Sequence, residues 1–81
     1  MKVPVQFWSY FKDLTGCEST AVELAPGDTI ATLRSRLQEQ FPKLKAMERS
    51  TLIAVGLEYQ PAEFVLSEGD EVSFFPPVQG G

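Results

Sequence analysis

The sequence has no histidine and a single cysteine, Cys17, in 81 residues. One thiol cannot close an internal disulfide, hold an iron–sulfur cluster or build a cysteine-rich zinc site. Without imidazole there is no Ser–His or Cys–His nucleophile pair. Long apolar runs are missing too. The start, MKVPVQFWSYFK, lacks a signal-peptide core, and no segment is long and apolar enough to span a bilayer. Positive charge is scarce, with seven Lys and Arg against eleven Asp and Glu and a net charge of −4. A nucleic-acid binder needs a basic face to displace counterions, and an anionic membrane selects the same sign. Neither nucleic acid nor membrane is therefore expected as a partner. A cytoplasmic protein without ordinary side-chain catalysis is the expectation, with Cys17 an inert loop residue.

What is present alternates. VPVQF places Val3, Val5 and Phe7 on one face of a strand. Pro4 has no N–H to give, so it must lie where the ladder needs none. The apolar run continues through Trp8, Tyr10 and Phe11 to a turn at Gly16. TAVEL repeats the alternation with Val22 and Leu24, and APGD breaks it. Thr29 is a helix N-cap. Ile30, Leu33, Leu37 and Phe41 follow at spacings of three, four and four, which is one helical stripe, and Pro42 stops it. KLKAMERS reads as a polar link and TLIAV as a strand. Gly56 opens a two-residue hairpin turn of the mirror type, leading to a short return strand with Tyr59. Leu66 is an apolar plug before the SEGD turn. EVSFF is the last strand, with Val72 and Phe74 on one face and Ser73 and Phe75 on the other. The layout is α+β, a mixed sheet of about five strands with one main helix packed on one face.

Two features point to function. If Val5 and Phe7 face the helix, Trp8 and Phe75 turn to the open face of the sheet. An exposed aromatic pair there is a candidate partner-binding surface. The second feature is the end of the sequence, FFPPVQGG. Pro76 and Pro77 end sheet pairing and stiffen an extended arm, lowering the entropy lost when it is inserted. Val78 is the expected side-chain anchor. Gly80 and Gly81 lack Cβ atoms, so their backbone fits a narrow channel.

EGDEVSFFPPVQGG, together with FKDLTG and DTIATLRSRL, resembles the MoaD family of sulfur carriers, the small subunits of molybdopterin synthase. The resemblance implies a ubiquitin-like β-grasp domain at 1–75 and an extended tail at 76–81. It also implies a mechanism. An adenylating partner of the ubiquitin-activating type uses ATP on the Gly81 carboxylate, sulfur replaces AMP to leave a thiocarboxylate, and the tail enters the large synthase subunit. There the sulfur passes to a cyclic pyranopterin precursor, forming the dithiolene that holds molybdenum. In this scheme the chain binds no cofactor or metal itself, and catalytic side chains belong to the large subunit. Other carriers with a Gly-Gly end serve thiamine synthesis, and ubiquitin-like modifiers form isopeptide bonds through the same group; both remain alternatives. The sequence departs from the family at the hairpin after the third strand. Asn, often followed by Gly, is usual there, whereas this chain has Gly56-Leu57, which still supplies a positive φ.

Overall fold

The structure, a computed structural model, describes residues 1–77. Its elements are β1 (Lys2–Phe7), α1 (Phe11–Thr15), β2 (Ser19–Glu23), α2 (Ile30–Gln40), a 3-10 helix (Pro42–Ser50), β3 (Leu52–Val55), β4 (Glu58–Tyr59) and β5 (Val72–Phe75). The sheet order is β2-β1-β5-β3-β4, with β1 and β5 parallel and the other neighbours antiparallel. This is the β-grasp arrangement, a mixed sheet holding one main helix against one face.

The alternation in β1 does what its period requires. Val3, Val5 and Phe7 are buried, and the residues between them are exposed. The backbone alternates as well. Phe7 N donates to Glu18 O of the hairpin at 2.8 Å, whereas Trp8 N turns the other way and donates to Phe74 O at 3.1 Å. Pro4 belongs to the even set facing β5, and pairing with β5 begins only at Val5↔Val72. Its missing N–H therefore costs no ladder bond.

Thr29 caps α2, its hydroxyl accepting from Thr32 N at 3.4 Å. The next N–H groups, which a helix cannot satisfy internally, find carbonyls on the 60s loop. Ile30 N donates to Phe64 O at 3.0 Å and Ala31 N to Ala62 O at 2.9 Å. That docking holds Leu66 in the core beside Ile30, Leu33 and Leu37. Phe74 is the aromatic hub, meeting Phe7 and Phe11 edge to face at 5.8 and 6.2 Å.

Two segments differ from the sequence reading. The run after β1 is not a continued strand: Trp8 ends the pairing, and Phe11–Thr15 forms a short helix closed by Gly16 in the left-handed region at φ +76°. Phe11, fully buried, anchors it. KLKAMERS, polar by composition, is not a plain link: Pro42–Ser50 is a 3-10 helix that buries Leu44 against α2. Phe41 sits at the C-cap of α2, only half-buried, because Pro42 has already ended the helix. Cys17 is half-buried against the core.

Candidate partner-docking face

Cross-strand partners share a face. Pairing Ile53↔Phe74 and Val55↔Val72 commits those residues to the core. It leaves Leu52↔Phe75, Ala54↔Ser73 and Ala54↔Tyr59 on the side away from α2. Phe75 thus lies outside the core, half-buried, on the final strand.

Three rings meet on this open face. Trp8 and Phe75 are stacked, their centroids 5.6 Å apart and their planes 9° from parallel. Tyr59 meets Phe75 edge-on at 6.2 Å and 88°. Trp8 is 44% exposed and Tyr59 59%. The two residues expected from the sequence are therefore in direct contact, and Phe75 is the middle of a row that Tyr59 completes. Tyr59 was not singled out for this face. Its position is arithmetic once the turn is known: a two-residue turn pairs Val55 with Glu58, so Tyr59 falls opposite Ala54.

The short helix explains how Trp8 is held. Phe11 N donates to Trp8 O at 3.1 Å and Lys12 N to Ser9 O at 3.2 Å. Ser9 adopts φ +56°, uncommon for a residue with a Cβ. That reversal turns the chain from β1 into α1 and leaves the Trp8 ring over Phe75. Beyond Tyr59 a shallow dish of about 210 Å³ is lined by Ala54, Gly56, Leu57, Tyr59 and Phe75. The lining carries no charged side chain, so apolar contact is what this dish offers a partner.

On the helical layer, the Gln38 side-chain amide donates to Glu48 at 2.8 Å, and Arg34 approaches the same carboxylate at 3.6 Å. The hydrogen bond first, then the guanidinium, hold the Glu48 carboxyl below its ordinary value. Among the described residues no His/Cys/Asp/Glu group is arranged to hold a metal ion, and no helix is long and apolar enough to cross a membrane.

β5 ends at Phe75. Pro76 is half-buried and Pro77 exposed, both outside the ladder. Val78, Gly80 and Gly81, the remaining tail residues singled out from the sequence, lie outside the described residues.

The ThiS family profile matches residues 5–81. The chain belongs to the ThiS family. It is 32% identical to the molybdopterin synthase sulfur carrier subunit of Mycobacterium tuberculosis, with all of this chain and 99% of that one aligned. Among solved structures, a putative molybdopterin converting factor subunit 1 from Pyrococcus furiosus superposes with a TM-score of 0.88 at 28% identity, covering 96% of this chain and 99% of that one. The complex of subunits 1 and 2 of molybdopterin-converting factor from Helicobacter pylori gives a match with a TM-score of 0.72 at 28% identity, with both chains fully covered. The family and the β-grasp fold are thus as the C-terminal motif implies.

Proposed function

We propose that this protein is a sulfur carrier acting as the small subunit of a molybdopterin synthase. The Gly81 carboxylate is a poor electrophile. An adenylating enzyme of the ubiquitin-activating type joins it to AMP from ATP, releasing pyrophosphate and creating a good leaving group. A sulfur nucleophile then displaces AMP to give the thiocarboxylate. The large synthase subunit receives the tail, the thiocarboxylate sulfur bonds to a carbon of the pyranopterin precursor, and water then cleaves the acyl–sulfur bond, leaving sulfur on the precursor and regenerating the carboxylate. In this scheme the partners stabilise the tetrahedral oxyanion, and the absence of histidine from the sequence fits that division of labour. The chain binds no cofactor of its own in this scheme, and it works in the cytoplasm.

The observation that carries the reading is one of continuity. Phe75, the middle ring of the exposed row, is also the last residue of β5. In the sequence only Pro76-Pro77-Val78-Gln79 separates it from Gly80-Gly81. A partner that grips the ring row holds the base of the arm at the same time. Proline at the base restricts the arm beforehand, sparing roughly 1 kcal/mol per backbone residue that would otherwise have to be ordered on insertion. Val78 then anchors the arm, and Gly80 and Gly81 enter the channel. The test is mass spectrometry of the protein isolated from its cells. An oxygen-to-sulfur shift on the C-terminal glycine is expected; branched Gly-Gly remnants on the lysines of other proteins, with no such shift, would overturn the carrier reading.

A further inference from the structure

Leu57 stands at the tip of the β3–β4 hairpin, as exposed as in an extended chain, at 103%. Its position goes against a local preference. Gly56 takes φ +61° while Leu57 keeps a negative φ, and Val55 pairs with Glu58, so the two are the central residues of a mirror-type turn with glycine first. Asn, Asp or Ser ordinarily follows the glycine in such turns, because their polar side chains suit a solvated corner. A leucine there packs against nothing and satisfies nothing. A lone exposed leucine is unremarkable on a protein surface. This one shares the apolar dish with Tyr59, Phe75 and Ala54, so it extends the ring row into a contiguous patch. A residue that departs from turn preference without a folding gain, at the edge of an apolar face, is where a functional contact is to be expected.

We propose that Leu57 is an anchor for the large synthase subunit, filling an apolar pocket on that partner next to the surface that covers Tyr59 and Phe75. The proposal rests on the docking role given to the ring row above. The hairpin tip lies past Tyr59, so Leu57 lengthens the interface along the sheet and helps choose between partners that all accept a Gly-Gly tail.

The experiment is titration calorimetry of the full chain against the purified large subunit, with melting curves of each free variant. Leu57→Asn supplies a residue the turn prefers, so it should melt at or above the native temperature while its Kd rises about tenfold, as for an interface anchor. Leu57→Met should bind within about twofold of native, since apolar volume is kept. Native affinity in Leu57→Asn, alongside weakened binding in Phe75→Ala, would overturn the anchor and leave the ring-row reading intact. Failure of the native chain to bind the large subunit would overturn both. A native chain that sediments as a dimer, and turns monomeric on Leu57→Asn, would assign Leu57 to self-association and so overturn the proposal.

Discussion

Trp8, one residue past β1, and Phe75, the last residue of the neighbouring parallel strand β5, stack almost flat, 5.6 Å apart and 9° from parallel, on the face that α2 does not cover. Each supports the other's orientation, and Tyr59 braces Phe75 from the far side. Rings held in this way lose little side-chain freedom when a partner covers them.

Phe75→Ala should therefore weaken binding to the large subunit by about 1–3 kcal/mol, the cost of removing a central aromatic anchor. The stability loss should be smaller, because Phe75 is half-buried and Phe74, not Phe75, is the hub of the core. Calorimetry with the large subunit and a melt of the free variant measure the two effects. A variant that melts far lower yet binds normally would move Phe75 from the docking face to the core's support.

Deleting Gly81, or adding one residue after it, should abolish sulfur transfer and leave the melting temperature near native. Among the described residues the sheet ends at Phe75 and the buried core at Phe74, and the last residue of a domain seldom carries its stability. A molybdopterin synthesis assay beside a thermal melt checks this; activity in the extended protein would rule out chemistry at the terminal carboxylate.

Gly80→Ala should fold and dock, yet slow adenylation, sulfur transfer or both. A Cβ restricts φ and widens the arm just before the reacting carbonyl. A misplacement of about 1 Å at a reacting centre costs about a hundredfold in rate. Assaying the two steps separately identifies the tighter channel, and native rates in both would reduce the glycine's role to flexibility.

Gly56→Ala isolates a backbone effect. A Cβ at Gly56 meets nothing within 4 Å, so there is no steric clash to relieve. The cost is the left-handed φ alone, about 1 kcal/mol after the gain from a stiffer unfolded chain. Urea unfolding should show a lower midpoint at unchanged slope; a native midpoint would mean the turn had changed type at no cost.

Most of the frame was legible because it obeys short periods. Alternation placed Val3, Val5 and Phe7, and Thr29 with the stripe Ile30, Leu33, Leu37 placed the helix. The misses have physical reasons. Phe11–Thr15 is five residues long, too short for any helical period to register, and it is organised by one buried ring. In Pro42–Ser50 the charged residues around Leu44 disguise a segment that still contributes to the core. On the docking face, alternation turned Phe75 outward. The Trp8–Phe75 contact depends on parallel pairing between positions far apart in sequence, and Tyr59 depends on the length of a turn.

Trp8 is the only tryptophan in the chain, and it stands half in solvent on the face a partner would cover. Its ultraviolet emission responds to hydration and to neighbouring groups, so the native molecule carries its own optical gauge. A partner that covers this face should shift the spectrum to the blue as water leaves the indole, while one that merely brushes the helical layer should leave the colour unchanged. Engagement of the carrier can thus be followed in real time by its own light, with no label to perturb the surface being watched.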